Sequence, residues 1–351
     1  MFPDSQKSLL NVVAIGGGTG LSTLLRGLKR YVPRAEDTTP RIGVTIGSLT
    51  AIVTVSDDGG SSGRLRKEFN LLPPGDIRNC IVALSEEEEL LSRLFQYRFR
   101  AGEGLKDHNF GNLFLLALSE LTGDFAEAVR LSSEVLATRG HIFPATTSHV
   151  QLEAVMDDGT KVVGETNITA SKRHIVNLRM LPEDAEPIPD AILAIQNADL
   201  ITIGPGSLFT SLVPNLLVRA VPKAISDSHA VKIYVCNLMT QANESLGLSA
   251  ADHIRALYDH AGCELFDYAL INTAPAPDEL RVKYADERQE QISIDIDRIR
   301  ALGVKPILGN YLNVYHNEAG ALVARHDTQR VAEDLIKIST ELRRAPQHYS
   351  I

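Results

Sequence analysis

The chain has 351 residues, of which 44% are hydrophobic and 23% charged, so it can bury a large core and has an ordinary globular composition. Its net charge of −9 argues against a protein that binds duplex nucleic acid, which normally presents a basic surface. No apolar run reaches the length of a membrane-spanning helix and no secretory signal pattern is present, so we expect a cytoplasmic protein without a membrane span.

Short apolar strands alternate with amphipathic helices in the first part of the chain. Residues 11–15 form a strand pattern that ends in glycines, and residues 21–31 have helical spacing. A second buried strand is predicted at residues 51–55. Helical patterns then follow at residues 77–84, 90–98, 112–121 and 125–136.

The pattern changes at residue 141, where β-forming residues become frequent. Asp157-Asp158-Gly159-Thr160 is a predicted hairpin turn between strands at 150–156 and 161–165, and a proline-rich segment at 181–189 follows. The helix–strand alternation then resumes: helix 191–197, strand 200–203, helix 208–212, strand 232–236, helix 250–260 and strand 266–271.

This alternation predicts an α/β fold with a mostly parallel sheet covered by helices on both faces. We expect residues 1–140 and 190–343 to form a nucleotide-binding core. Residues 141–189 would be a small β-rich inserted subdomain, and residues 344–351 a C-terminal tail.

A glycine-rich segment joins the first strand to the first helix. The backbone amides of Gly17, Gly18 and Thr19 are predicted to approach a phosphate at the helix N-terminus. A dinucleotide fingerprint would need glycine at Leu21, and no Gly-Lys-Ser/Thr sequence completes a P-loop. The alternative is a tight structural turn without a ligand.

Two adjacent carboxylates, Asp57 and Asp58, directly follow the second buried strand. Carboxylates at this edge of a sheet can hold Mg²⁺ against the phosphates of a ligand, which makes magnesium the candidate cofactor. The alternative is a flexible acidic turn. Downstream, Asp76 is a natural helix N-cap, whereas Arg78 and Asn79 are better ligand candidates.

A second strand–glycine–helix junction occurs at Gly204, Gly206 and Ser207. The two glycine amides would face an anion, and the junction could meet the first one across a cleft at a topological switch point. Asn237, after the strand at 232–236, would line the same cleft. The alternative for Asn237 is an ordinary polar loop.

Five motifs in order resemble the CofD-like superfamily, and most closely its YvcK branch, the gluconeogenesis factors. The resemblance covers residues 12–337 and implies a Rossmann-like three-layer α/β/α core with a smaller added subdomain. Extra residues at 34–47 depart from the family pattern. The motifs are GGGTGLS at Gly16, VSDDGGSSGRLR at Val55, PPGDIRN at Pro73, IGPGSLFTSLVPNL at Ile203 and CNLMTQ at Cys236.

The resemblance also implies ligands and site residues. CofD enzymes transfer a phospholactyl group from a guanosine-diphosphate-linked donor to a deazaflavin with Mg²⁺, whereas the YvcK branch is associated with UDP-sugars, carbon-source adaptation and cell shape. Tyr284 and Arg325 resemble UDP-sugar contacts of this branch; a surface tyrosine and a solvated arginine are the alternative. By match, contacts to nucleotide diphosphate or metal fall on Gly17, Thr19, Asp57, Asp58, Asn79 and Gly206.

The leading hypothesis is a regulatory protein that binds a UDP-sugar such as UDP-N-acetylglucosamine and signals to a protein partner. The alternative is a Mg²⁺-dependent transferase that uses a nucleotide-diphosphate donor. A dehydrogenase is a weaker third option, disfavoured by Leu21. The sequence identifies no catalytic residue, and it leaves open the sugar, the partner and whether the chain forms a homo-oligomer.

Overall fold

The structure is a computed structural model, and it describes residues 9–34, 45–86, 90–171, 173–317 and 320–344. A parallel sheet lies at its centre, and two small antiparallel sheets lie beside it. The strands are β1 (Leu10–Gly16), β2 (Ile46–Val53), β3 (His141–Pro144), β4 (Gln151–Met156), β5 (Lys161–Val163), β6 (Ile175–Leu181), β7 (Leu200–Ile203), β8 (Val231–Val235), β9 (Tyr268–Asn272), β10 (Lys305–Gly309), β11 (Leu312–His316) and β12 (Leu322–His326).

The central sheet has seven strands in the order β10-β9-β8-β7-β1-β2-β3, and all its neighbouring strands pair in parallel. Its inner strands are almost continuously apolar and buried, as expected for a sheet covered on both faces. The chain builds outward from β1 to β3, then returns to β7 on the other side of β1. The strand order therefore reverses between β1 and β7.

Helices flank this sheet in two packed groups. The helix α1 (Gly18–Leu28) contacts α3 (Gly75–Leu84) and α14 (Thr328–Arg344). The helix α9 (Val213–Leu216) contacts α10 (Val221–Asp227) and α11 (Ala250–Ala261). The predicted three-layer α/β/α fold is confirmed. The helices are α1 (Gly18–Leu28), α2 (Gly60–Phe69), α3 (Gly75–Leu84), α4 (Leu90–Gln96), α5 (Phe110–Thr122), α6 (Phe125–Val135), α7 (Glu165–Ala170), α8 (Pro189–Gln196), α9 (Val213–Leu216), α10 (Val221–Asp227), α11 (Ala250–Ala261), α12 (Asp278–Asp286), α13 (Ile296–Ala301) and α14 (Thr328–Arg344).

Two short helical segments complete α1 and α9. Lys29–Tyr31 continues α1 as a 3₁₀ turn, and Leu208–Leu212 precedes α9 as a π-helix. Among the described residues no single helix is long and apolar enough to cross a membrane. Only the bent pair Leu208–Leu216 and Val221–Asp227, which turns by 76°, meets that length and composition test jointly.

The β-rich insertion forms its own antiparallel sheet, in the order β5-β4-β6, with α7 beside it. The hairpin turn lies where the sequence predicts it, with Gly159 at φ +81°. The predicted strand at 161–165 ends at Val163, because Gly164 turns at φ +94° and Glu165 begins α7. The predicted insertion starts at residue 141, but β3 lies at the edge of the central sheet.

A small second core lies under the β11–β12 hairpin and α12. It contains Leu238, Ala276, Leu280, Tyr284 and Ala324, separate from the main core. The described residues end with the long helix α14, which the sequence patterns did not identify. The predicted tail, 344–351, lies outside the described residues apart from residue 344, as does most of the 34–47 stretch.

Candidate functional site

A cleft of about 420 Å³ lies at the carboxyl ends of β1 and β7, where the strand order reverses. This volume is in the range of small-molecule sites, and such switch points are the usual ligand position in open α/β sheets. The predicted residues that line it are Gly17, Gly18, Thr19, Gly206, Ser207, Asn237, Tyr284 and Arg325. That these residues contact a ligand stays a prediction.

The first wall of the cleft is made of two loops whose backbones touch. A Cβ added at Gly20 would lie 2.2 Å from the carbonyl oxygen of Pro205, so only glycine fits there without a shift. A Cβ at Gly17 would lie 2.6 Å from Thr54 Cγ2. The sequence predicts that the two junctions face each other across a cleft, but in the structure the loop after β1 packs directly against the loop after β7 and the two form one wall.

The side chain of Asp76 holds the first glycine loop by a hydrogen bond to its backbone. Its Oδ2 accepts a hydrogen bond of 2.6 Å from the amide of Gly18, so this amide is already bonded. The predicted helix-capping role of Asp76 is wrong, because Pro74 is the N-cap of α3 and no side chain caps it. Desolvation, with the nearby Asp57 carboxylate, raises the pKa of Asp76 to about 6.

The second glycine loop is held by polar side chains from the segment after β8. The Asn237 amide bonds Gly206 twice: Oδ1 accepts from the Gly206 amide at 3.1 Å, and Nδ2 donates to the Gly206 carbonyl at 2.7 Å. Gln241 Nε2 donates to Ser207 Oγ at 2.8 Å. Asn237 therefore positions the loop, with both ends of its amide group engaged.

The opposite wall is built from side chains of α12 and β12. Tyr284 is buried, and its hydroxyl accepts a hydrogen bond of 3.1 Å from the amide of Ala324. Arg325 is exposed, and its Nη1 donates to the Ala324 carbonyl at 2.8 Å. His326 Nε2 donates to the Cys236 carbonyl at 3.0 Å, and desolvation lowers the pKa of His326 to about 4, so the ring is neutral at pH 7.

Asp57 and Asp58 diverge, and neither lines the cleft. Asp57 Oδ1 accepts from the amide of Gly59, and desolvation raises the pKa of Asp57. Asp58 Oδ1 instead accepts from both the amide and the hydroxyl of Thr166, at 2.8 and 2.6 Å. Asp58 therefore bonds the first turn of α7 in the insertion.

Glu165 of α7 is, like Asp57, a carboxyl group whose pKa is raised by desolvation. Desolvation, followed by repulsion from Asp57 and Asp76, raises the pKa of Glu165 to about 9. Within the described part of the chain, no three His, Cys, Asp or Glu side chains are placed to hold a metal ion. The two aspartates thus fit Mg²⁺ poorly as a pair, their binding of it stays a prediction, and we derive no step through a metal.

Besides Asp57 and Asp58, two more predicted residues, Gly204 and Asn79, lie outside the cleft lining. Gly204 has φ +86°, and a Cβ there would lie 2.7 Å from the Val235 carbonyl oxygen, so its glycine is explained by packing. Asn79 accepts a hydrogen bond from Arg78 and faces a neighbouring pocket. Gln241, in the segment after β8 that the sequence predicts at the cleft, also lines it. Ser211 and His326 line the cleft too, although the sequence singled out neither as a ligand contact.

Comparison with known proteins agrees with this architecture. A model of the family described as 2-phospho-L-lactate transferase CofD matches residues 12–312. The chain belongs to the CofD family. The resemblance inferred from the five motifs is thereby confirmed.

Proteins described as gluconeogenesis factors are similar over almost the whole chain. The Bacillus subtilis protein is 44% identical over 330 residues, which is 94% of this chain and 98% of that protein. The Halalkalibacterium halodurans protein is 45% identical over 327 residues, 93% and 96% of the two chains. A crystal structure of a Bacillus halodurans protein superposes with a TM-score of 0.86 at 44% identity, covering 94% of this chain and all of that one.

Proposed function

We propose that this CofD-family chain is a regulatory factor that binds a UDP-sugar, such as UDP-N-acetylglucosamine, and acts in carbon metabolism and cell-shape maintenance. The observation that carries the proposal is the meeting of two glycine loops opposite Tyr284 and Arg325 in one cleft. The similar proteins described as gluconeogenesis factors support the link to carbon metabolism.

The parts of the cleft suit the parts of a nucleotide sugar. The diphosphate would lie at the N-terminus of α1, where the helix dipole and the exposed Thr19 favour an anion. The guanidinium of Arg325 would pair with a phosphate, and the ring of Tyr284 would offer an apolar face to the base or the sugar. Protein hydrogen bonds already fix Ser207 and Gly206, which keeps the wall in place before the ligand arrives.

A signal to a protein partner would leave from the side of the cleft formed by α12 and the β11–β12 hairpin. This unit packs on its own small core, so a ligand that bridges it to the glycine loops would fix its position. The partner would then recognise the ligand-bound arrangement of this surface. Such coupling requires that the ligand bind one arrangement more tightly than the other.

Calorimetric titration tests the proposal. UDP-N-acetylglucosamine, GDP and NADH are titrated separately, each with and without Mg²⁺, and the recovered nucleotide is analysed for breakdown. We expect selective binding of the intact UDP-sugar, weakened in Tyr284→Ala and Arg325→Ala. The exposed Tyr315→Ala and Arg281→Ala are matched controls and should bind normally. Equal binding in all four variants would place the ligand elsewhere.

A second candidate function is a transferase that takes a phosphoryl-linked group from a nucleotide-diphosphate donor. The description of the matching family and the carboxylates Asp57, Asp76 and Glu165 behind the glycine loop favour it. Preference for GDP with Mg²⁺, or nucleotide release once an acceptor is supplied, would support the transferase over the regulator.

A further inference from the structure

A second pocket, of about 300 Å³, lies on the far side of Thr19 and Thr23 from the cleft. These two threonines line both spaces. Three arginines, Arg26 of α1, Arg78 of α3 and Arg98 after α4, converge on the second one. We call this space the arginine pocket, after those three residues.

Arg78 is held in a fixed orientation by neutral groups. Its Nη1 donates to Asn112 Oδ1 at 3.0 Å, and its Nη2 donates to Asn79 Oδ1 at 2.7 Å. Its Nε is buried and has no hydrogen-bond partner. Amide oxygens orient a guanidinium without neutralising its positive charge.

The fold also makes room for Arg78. A Cβ added at Gly111, in the first turn of α5, would lie 2.8 Å from Arg78 Cδ and 2.9 Å from Cγ. The side-chain stem therefore packs directly on the backbone of α5. Asn112, which orients the guanidinium, is itself held by a hydrogen bond of 3.2 Å from its Nδ2 to Ser61 Oγ.

No carboxylate in the described part of the chain forms an ion pair with the arginine pocket, although the nearby carboxylates of Asp76 and Asp57 attract the charge of Arg78. Arg98 Nη1 donates to the carbonyl of Asp107, and neither Arg26 nor Arg78 forms an ion pair. By contrast, Arg298 pairs with two aspartates on the surface. Desolvation, followed by repulsion from Arg98, lowers the pKa of Arg78 to about 10.

We propose that the arginine pocket binds the phosphoryl group of a second small ligand, separate from the nucleotide of the main cleft. Three guanidinium groups can neutralise a phosphate dianion, and planar guanidinium donors match phosphate oxygens in pairs. The proposal depends on these contacts alone and holds whatever nucleotide the main cleft takes.

The test is titration of the full chain with inorganic phosphate, followed by calorimetry and by ³¹P line broadening, in the absence of nucleotide. Arg26→Gln and Arg98→Gln remove exposed side chains, so both variants should fold. We expect each to bind phosphate at least roughly tenfold more weakly, the loss of one charge-assisted hydrogen bond. The exposed Arg93→Gln, on α4 but outside the pocket, is the matched control and should bind as the unmodified chain does.

Two further arms separate the alternatives. Acetate should bind much more weakly than phosphate; equal binding would contradict a phosphoryl site. Arg325→Gln tests whether phosphate occupies the main cleft instead. The proposal would be overturned if phosphate affinity fell in Arg325→Gln but not in Arg26→Gln or Arg98→Gln. It would also be overturned if the unmodified chain did not bind phosphate. Arg98→Gln should bind UDP-N-acetylglucosamine with the affinity of the unmodified chain. Loss of phosphate binding at the arginine pocket can therefore be distinguished from loss of nucleotide binding in the main cleft.

Discussion

The two walls of the cleft are built in different ways. On the β1–β7 side the wall is backbone: Gly20 touches the Pro205 carbonyl, and Asp76 and Asn237 hold the loops by hydrogen bonds to main-chain groups. On the α12–β12 side the wall is the side chains of Tyr284 and Arg325 over a small separate core. Changes to the first wall should therefore cost stability, whereas changes to the second should mainly alter binding.

The largest loss of stability is expected from Gly20→Ala. The added Cβ would lie 2.2 Å from the carbonyl oxygen of Pro205, which can move only if the loop after β7 moves with it. We expect the free energy of unfolding to fall by about 3 kcal/mol, measured by urea denaturation. Gly16→Ala is the matched control, since its Cβ would meet only ordinary contacts, the nearest at 3.5 Å from Leu21 Cβ. Equal stability of the two variants would contradict the backbone contact.

Asp76 should make the first wall sensitive to pH. Its pKa is about 6 in the folded chain against 3.8 as the ordinary value, so the folded state binds more protons between these pH values. The free energy of unfolding should therefore fall as pH rises from about 4 to about 6, by about 2 kcal/mol from this group.

Asp76→Asn keeps an acceptor for the Gly18 amide and should flatten that slope, as urea denaturation at several pH values would show. Glu165, whose pKa rises from 4.5 to about 9, adds a slope of the same sign from about pH 4.5 to 9, so Asp76→Asn should reduce the slope below pH 6 rather than abolish it. Asp286→Asn, an exposed aspartate on α12, is the control. An unchanged slope between pH 4 and 6 in Asp76→Asn would contradict the assignment.

A smaller loss is expected from Tyr284→Phe in the second wall. The Ala324 amide would lose its acceptor, at a cost of about 1–2 kcal/mol in thermal or urea unfolding. The aromatic face stays, so affinity for the UDP-sugar should change little. Tyr315→Phe on the exposed face of β11 should alter neither quantity. Strong loss of affinity in Tyr284→Phe would show that the hydroxyl, rather than the ring, meets the ligand.

The smallest effect on stability belongs to Arg325→Gln, because this side chain is exposed and bonds only the neighbouring carbonyl. The unfolding free energy should stay within about 0.5 kcal/mol of the original value. Calorimetric affinity for UDP-N-acetylglucosamine should nevertheless fall roughly tenfold. A variant with normal affinity would remove Arg325 from the site and leave the second wall to Tyr284.

Much of the fold was predictable because its signals are local. Apolar strands of four to eight residues followed by helical spacing gave the parallel sheet and the hairpin at Gly159. The glycines at residues 17–20 and 204–206 predicted close approach of the backbone to a phosphate, and that stays a prediction. The contact of Gly20 with Pro205 is a separate reason for glycine, which the sequence did not indicate. The helix α14 was not predicted: the sequence analysis assigned no helix or strand after residue 271.

Site geometry was less predictable because side-chain direction depends on distant partners. Asp57 and Asp58 are adjacent in sequence, yet Asp58 turns to Thr166 in the insertion, 108 residues away. Asn237 was predicted to contact the ligand, but both the oxygen and the nitrogen of its side-chain amide form hydrogen bonds with Gly206. The arginine pocket draws its three cations from separate helices and loops, which no spacing rule connects.

The sequence by itself determined the α/β class, the parallel sheet, the two glycine-rich turns and the family, since each depends on residue types within a few positions of one another. Only the tertiary structure decided which turns meet, which aspartate supports the Gly18 amide and where unpaired charge collects. Those outcomes follow from contacts between segments 50 to 200 residues apart, for example the Asn215 side chain on the Gly16 carbonyl, 199 residues away. Packing selects such contacts for the whole chain at once, and no short segment encodes them.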